Sequence, residues 1–142
     1  MPGALLDSSI YISGMRRGDA AILALRRSSV DTPLWLSAVV LEELYAGASG
    51  RAQQALNRLE REFDRMNRIL VPNLSDWAGT GRVLAGLAAR YGYEKIGQGR
   101  LANDALIAMS AARAGFTVIT ANQRDFARIA EFRKFSWELA AF

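Results

Sequence analysis

Four acidic residues stand where carboxylates could act together on one ligand. They are Asp7, Glu43, Asp104 and Asp125. Asp104 introduces a segment that is small or apolar on every side, and a lone buried carboxylate there would be too costly. It must therefore cap a helix, be paired, or hold a cation. Several close carboxylates repel one another, and a hard divalent cation such as Mg²⁺ or Mn²⁺ relieves that repulsion. A cation held in this way could support hydrolysis of a phosphodiester.

The composition excludes most other catalytic chemistry. The 142 residues include no cysteine and no histidine, which removes disulfides, thiolate metal sites and nucleophilic schemes that depend on either side chain. An enzyme of this composition would depend on carboxylates, lysine or arginine, hydroxyls, or a metal bound by oxygen. The 18 basic and 14 acidic residues give a net charge of +4, which is compatible with a polyanionic partner.

Short apolar runs alternate with helical periodicity along the whole chain. This alternation predicts an α/β domain with a mainly parallel sheet and right-handed crossovers. Strands are predicted at 4–6, 34–36, 68–71 and 116–120, with a last edge strand at 135–137. Helices are predicted at 19–27, 37–46, 51–68, 74–90 and 101–114, and 91–100 is predicted to be a loop.

The acids fit this arrangement unequally. In a parallel sheet the carboxyl ends of the strands and the first turns of the following helices share one edge. Glu43 and Asp125 satisfy this rule, whereas Asp104 precedes its strand and is not placed at that edge by spacing alone. Simpler roles remain open: Asp7 could cap a helix, and Glu43 could pair with an arginine at the surface. On a helical wheel Glu43 flanks the apolar face, whereas Glu42 points to solvent.

Other segments suggest where ligands and neighbours lie. Lys95 and Arg100 could face an anion near the loop at 91–100. Gly79, Gly81 and Gly86 are costly inside a helix and could allow close packing. No secretory signal and no run of about 18 apolar residues is present, so we expect a cytoplasmic protein with no membrane contact.

Four stretches, taken in order, resemble the motifs of PIN-domain ribonucleases, and within them the VapC-like toxins of bacterial toxin–antitoxin pairs. The stretches are Leu5–Ser9, Ser37–Gly47, Asn103–Ala108 and Val118–Phe126. Each is a weak signal alone, but all four occur in the family's order and in suitable elements. The resemblance extends over nearly the whole chain, although 51–99 matches in pattern only.

The resemblance implies a fold and a site. The fold is a Rossmann-like three-layer α/β/α sandwich with a mainly parallel central sheet, formed by one PIN domain over residues 1–142. The site is a Mg²⁺ or Mn²⁺ centre with Asp7 and Asp104 as direct metal ligands. Its four acids are Asp7, Glu43, Asp104 and Asp125. Positions that would orient the carboxylates or a water are Ser8, Thr120 and Asn122.

The resemblance also implies a function and partners. The protein would be a metal-dependent endoribonuclease in which a water attacks an RNA phosphodiester in line, with Asp104 or Asp125 as a possible base. RNA would enter a groove edged by Arg100 and Arg124. A small antitoxin would cover the surface between residues 51 and 90, and the toxin would form a homodimer.

Two other functions fit parts of the sequence. A catalytically weak or inactive PIN-fold module could bind RNA, but the presence of all four acids argues against it. A receiver-like signalling domain also gathers acids at strand ends around Mg²⁺. That class needs a lysine after a late core strand, and neither Lys95 nor Lys134, the two lysines of the chain, follows one.

Overall fold

The computed structural model describes residues 3–17, 32–92 and 99–140. In this part of the chain there are five strands: β1 (Ala4–Leu6), β2 (Leu34–Ser37), β3 (Ile69–Leu70), β4 (Thr117–Thr120) and β5 (Ser136–Leu139). Six helices alternate with them: α1 (Ser8–Arg17), α2 (Ala38–Ala46), α3 (Arg51–Arg65), α4 (Leu74–Tyr91), α5 (Gly99–Ala114) and α6 (Gln123–Ala130). The chain therefore has the predicted α/β class.

The strands form one sheet in the order β3-β2-β1-β4-β5, and every neighbouring pair is parallel. The prediction of a mainly parallel sheet in a three-layer α/β/α fold is confirmed. β1 lies at the centre, and all three of its residues are buried, as its wholly apolar sequence requires. Its neighbours are β2 and β4, so the carboxyl end of β1 lies beside the carboxyl end of β4.

Helix α5 is the enclosed helix that the sequence predicted. Its residues from Asp104 to Ala111 are all buried, and it packs against α2, α4, α6 and β4. Burial on every side explains why this segment lacks a polar face, because a surface helix would carry one. It ends at Gly115, whose φ of 74° is the left-handed conformation that glycine adopts without strain.

Local signals at two other helix ends also hold. The Ser37 side chain accepts hydrogen bonds from the backbone N–H groups of Val39 and Val40, which makes it the N-cap of α2. Asn73 caps α4 in a reciprocal arrangement with Asp76, whose carboxylate accepts from the Asn73 N–H. Caps of this kind depend on residues within one turn, so sequence alone can locate them.

Three element predictions need comment. The helix predicted at 19–27 lies outside the described residues. Helix α3 ends at Arg65, earlier than predicted, because the chain turns at Asn67 with φ of 57° before it enters β3. Helix α6 had not been predicted, since its eight residues bury only Phe126 and Ile129 and leave too short a periodicity to recognise.

The glycines of α4 divide into two kinds. A Cβ added at Gly86 would lie 2.6 Å from the Phe132 ring, and one at Gly79 would lie 3.4 Å from the Met109 sulfur. A Cβ at Gly81 would meet no atom within 4 Å. Close packing thus accounts for Gly79 and Gly86 but not for Gly81. No helix in the described ranges is long and apolar enough to cross a membrane.

Candidate active site

Asp7 leaves the central strand directly into the site. Its backbone N–H continues the sheet by donating to the carbonyl of Ile119, at 3.1 Å, and its side chain is only 2% exposed. The carboxylate accepts hydrogen bonds from the hydroxyls of Ser9 and Thr120, each at 2.5 Å. Burial raises the pKa of Asp7, while these two hydrogen bonds and the charge of Arg100 oppose the rise. Asp7 is thus a buried carboxylate at the carboxyl end of β1, held by one hydroxyl from α1 and one from β4.

Asp104 was predicted to lie where its helix begins, but the structure places it further along the helix. Helix α5 begins at Gly99, so Asp104 is its sixth residue and cannot be its N-cap. Asp104 therefore does not cap the helix. The start of the helix was predicted too late because its first residues, Gly99 and Arg100, resemble a loop. Its side chain is 3% exposed. Burial raises the pKa of Asp104 to about 8, with help from the negative charges of Asp7, Glu43 and Asp125.

Glu43 enters the site from α2. The helical-wheel prediction holds, since Glu42 is exposed and Glu43 is partly buried. Burial raises the pKa of Glu43, and hydrogen bonds to Asn103 and Ser8 lower it in part. Within the described part of the chain, Oε1 of Glu43 is buried and has no hydrogen-bond partner. Such an atom loses hydration without compensation, which makes it a ready acceptor for a ligand or cation.

Asn122 links Asp104 of α5 to Asp125 of α6. Its Nδ2 donates to Oδ2 of Asp125 at 3.0 Å and to Oδ2 of Asp104 at 3.3 Å. Its backbone N–H donates to the Thr120 hydroxyl at 2.9 Å, and its own side chain caps α6. Because Thr120 also contacts Asp7, hydrogen bonds through Thr120 and Asn122 connect the carboxylates of Asp7, Asp104 and Asp125.

The predicted phosphate-binding arginines lie at the rim. Arg100 is exposed, and its positive charge lowers the pKa values of Asp7, Glu43 and Asp104. Arg124 is largely exposed, with its Nε 3.4 Å from Oδ1 of Asp125. Both positions suit an anion that approaches the acids from solvent. Lys95 lies outside the described residues.

The structure thus brings the four predicted acids and the three predicted polar residues together at the carboxyl ends of the strands. The acids there are Asp7, Glu43, Asp104 and Asp125, and the polar residues among them are Ser8, Thr120 and Asn122. Sequence reasoning missed Ser9, which donates to Asp7, and Asn103, which lowers the pKa of Glu43 and whose Nδ2 donates to Oε2 of Glu42 at 3.3 Å. Both residues could have been suggested from the sequence, since Ser9 lies within the first PIN-like motif and Asn103 within the third.

The donor set fits a hard divalent cation. Its ligands would be carboxylate oxygens, and both the free Oε1 of Glu43 and the raised pKa of Asp104 indicate negative charge that the protein leaves uncompensated. Among residues 3–17, 32–92 and 99–140, no three such side chains lie close enough together to hold a metal ion as they stand. Mg²⁺ keeps several waters and uses one or two carboxylates, so a pair of these acids would be enough to hold it.

Fold and site together define a class: an α/β protein with a parallel sheet and a cluster of acids at the carboxyl edge of its strands. Within that class the chain belongs to the PIN domain family, whose model matches residues 4–132. The resemblance noted in the sequence is thereby confirmed at the level of the family. No curated protein matches the sequence.

Solved structures share the fold over almost the full chain. A chain in the crystal structure of DNA-bound VapBC from Salmonella typhimurium is 23% identical, with a TM-score of 0.71 and coverage of 98% of both chains. VapBC2 from Rickettsia felis, bound to a DNA fragment from its promoter, gives 22% identity, a TM-score of 0.66 and coverage of 97% and 98%. VapBC-1 from nontypeable Haemophilus influenzae gives 26% identity, a TM-score of 0.64 and coverage of 95% and 96%.

Proposed function

We propose that this protein is a metal-dependent endoribonuclease that acts as the toxin of a type II toxin–antitoxin pair. The observation that carries the proposal is the acidic edge of the sheet, where the charges of three carboxylates help to raise the pKa of Asp104 to about 8. Nuclease activity is typical of the PIN family, and the structural neighbours are VapBC chains. The whole chain, residues 1–142, would act as one PIN domain in the cytoplasm.

In this proposal Asp7 and Asp104 hold Mg²⁺ or Mn²⁺. When bound, the cation polarises the phosphate and lowers the pKa of a water. Ser9 and Thr120 fix both oxygens of the Asp7 carboxylate, so that it presents one orientation. Asn122 orients Asp104 and Asp125, either of which can accept a proton from the attacking water.

Glu43 and the arginines complete the arrangement. The free Oε1 of Glu43 is positioned to accept a hydrogen bond from a water in the site, while Ser8 and Asn103 orient its carboxylate. Arg100 and Arg124 would bind the RNA phosphates at the rim, where guanidinium groups suit phosphate geometry. Their charges also moderate repulsion between the incoming phosphate and the acids.

The partners follow from the surface and from the neighbours. Four large apolar side chains between residues 66 and 77 are exposed, and Leu74 (84%) and Val71 (63%) are the most exposed of them; the other two are Met66 and Trp77. Exposed apolar side chains that fall close together favour a protein contact. We assign this surface, within 51–90, to a small antitoxin, and we expect the toxin to form a homodimer.

The test is cleavage of a mixed RNA pool by purified protein that is free of antitoxin. The reaction is run with Mg²⁺, with Mn²⁺ and with a chelator, beside Asp104→Ala and the exposed-acid control Asp64→Ala. We expect cleavage that needs metal, disappears in Asp104→Ala and persists in the control. A folded protein that cuts nothing with either metal would instead be an RNA-binding module. Cleavage that survives in Asp104→Ala would refute the four-acid site.

A further inference from the structure

A cavity of about 460 Å³ opens beside the acidic site. Asn122 and Asp125 form part of its wall, and these two residues also contact Asp104 or influence its pKa. The cavity is therefore continuous with the site. Its volume lies within the range of about 300–1,000 Å³ that is usual for small-molecule pockets, which is enough for one nucleotide.

The charged lining of this cavity is mostly positive. Among the described residues that line it, Arg100, Arg124 and Arg128 contribute positive charge, and Asp125 contributes negative charge. These residues together have a positive excess, although Arg124 also lies 3.4 Å from Asp125. The surplus of positive charge favours a ligand that carries phosphate.

One wall of the cavity is built as a stacked pair. The Cζ of Arg128, on α6, lies 4.2 Å from the centre of the Tyr91 ring at the end of α4. Glu131 accepts a hydrogen bond from the Tyr91 hydroxyl, and Arg90 lies 3.6 Å from the same carboxylate. These contacts fix the ring and the guanidinium against each other before any ligand arrives.

Apolar side chains complete the lining. Leu87 and Leu101 face the cavity next to Tyr91. A pocket that combines a stacked tyrosine–arginine pair, two leucines and two further arginines matches the two halves of a nucleotide. Bases stack on aromatic rings and guanidinium planes, and phosphates bind arginine.

We propose that this cavity binds one unpaired nucleotide of a single-stranded RNA beside the bond that is cut. Its base contacts the Tyr91–Arg128 pair, and its phosphate contacts Arg100 or Arg124. The inference rests on the proposed nuclease function and adds the residues that contact the base, Tyr91 and Arg128. A base inside an A-form duplex is paired and stacked, so it cannot enter this cavity without leaving the helix.

The experiment measures equilibrium binding of a fluorescent single-stranded RNA oligonucleotide in chelator, where no cleavage occurs. A matched oligonucleotide lacks its bases but keeps its phosphates. We expect the natural oligonucleotide to bind about 10-fold more tightly than the abasic one, as expected for one stacked base. A duplex of the same sequence should bind no better than the abasic strand.

Conservative variants separate the pocket from general charge and folding effects. Tyr91→Leu keeps an apolar side chain without a ring, and Arg128→Lys keeps the charge without a plane. Both should lose most of the preference for bases, whereas Tyr91→Phe should keep it. Arg82→Ala removes a positive charge from α4, the helix that carries Tyr91, but at a separate cavity. It should leave the preference for bases unchanged. Melting temperatures verify that each variant is folded.

Two results would overturn the inference. In the first, the wild-type protein binds natural and abasic strands equally; in the second, folded Tyr91→Leu and Arg128→Lys both retain the preference. Cleavage by the same preparations with Mg²⁺ or Mn²⁺ tests the proposed function separately. A protein that cleaves RNA without base preference in binding would retain the function and lose the pocket. One that prefers bases but never cleaves would retain the pocket and lose the nuclease.

Discussion

At the scale of single residues, the site is a collection of carboxylates that the fold leaves incompletely neutralised. Asp7 receives two hydroxyl donors, whereas Asp104 receives one amide and lies near three other acids. Burial is the largest cause of the raised pKa values of Asp7, Glu43 and Asp104. The protein without metal therefore sacrifices some stability to keep these groups together.

Asp104 gives a pH-dependent prediction. Its pKa is about 8 in the folded protein against an ordinary value of 3.8, so between these values the folded state binds a proton that the unfolded chain does not. The resulting stabilisation is fully present below about pH 4 and is lost as the pH rises through about 8. In chelator, the wild-type melting temperature should fall over this range more steeply than that of Asp104→Asn, which cannot titrate.

The same variant should therefore be more stable than the wild type at high pH. We expect Asp104→Asn to melt about 5 °C higher in chelator above pH 8, with the difference shrinking in mild acid. Mg²⁺ should raise the melting temperature of the wild type but not of the variant. Asp64→Asn, at an exposed position, serves as the control. A lower melting temperature for Asp104→Asn with its metal response intact would make this acid purely structural.

Glu43 and Glu42 form a natural pair for mutation. They are adjacent in α2, yet only Glu43 is partly buried with a free oxygen in the site. Glu43→Gln should lower kcat at least about 10-fold, in the range seen for residues that orient a metal centre. Glu42→Gln should stay within about twofold of the wild type. Steady-state cleavage of one RNA oligonucleotide measures both, and equal losses would contradict a special role for Glu43.

At the scale of elements, α4 and α5 determine the geometry of the site and of the neighbouring cavity. Helix α5 carries Asp104 at one end of a fully enclosed segment, and α4 packs along it and ends at Tyr91. The Arg113 side chain joins the two helices at their other ends through Asp76, with its Nε 2.9 Å from Oδ2. The two helices are thus joined by an ion pair at the end of their contact that lies away from the site.

The glycines of α4 allow a test of this packing. Gly81→Ala places a methyl group in open space, so it should stabilise the protein by about 0.5–1 kcal/mol through the better helix propensity of alanine. Gly86→Ala gains the same propensity but places its Cβ 2.6 Å from the Phe132 ring. It should therefore be less stable than Gly81→Ala by at least about 1 kcal/mol. Urea unfolding compares the two, and equal effects would show that Phe132 moves aside freely.

Elements with local signals could be predicted from the sequence, and those that depend on distant contacts could not. Ser37 acts on its own next residues, and the apolar run of β1 reports its own burial. Helix α6 is short, and the start of α5 includes Gly99 and Arg100, so both lacked a local signal.

The same distinction applies to the candidate site. The positions of Asp7, Glu43 and Asp125 could be predicted from the strands that precede them. The position of Asp104 depends on how α5 packs against the sheet. The contact between Tyr91 and Arg128 joins residues from two helices, one of them unpredicted, and no spacing rule reveals it.

At the scale of the whole molecule, the net charge of +4 is modest, so RNA binding depends on where the arginines lie rather than on their number. Arg100, Arg124 and Arg128 surround one cavity. If Arg100 and Arg124 each neutralise one phosphate, the logarithm of the binding constant should fall with the logarithm of salt concentration with a slope of about −1.4 for single-stranded RNA.

Replacing Arg100 or Arg124 by alanine should make the salt slope less negative by about 0.7, whereas Arg82→Ala should not change it. Binding titrations over a range of potassium chloride concentrations in chelator measure the salt slopes of the wild type and of each variant. A slope near zero for the wild type would mean that the cavity does not contact phosphate. Identical reductions for Arg124→Ala and Arg82→Ala would assign the effect to overall charge.

The hydrogen bond between Asp7 and Thr120 joins residues 113 positions apart, and β1 lies between β2 and β4 in the sheet. During synthesis, a chain that has emerged only as far as α4 already contains Asp7 and Glu43 but neither Asp104 nor Thr120. A nascent chain on the ribosome therefore lacks a complete acidic cluster until the last quarter of the protein is exposed. Under the proposed function, a toxin with this topology cannot attack RNA before Asp104 and Asp125 have been translated.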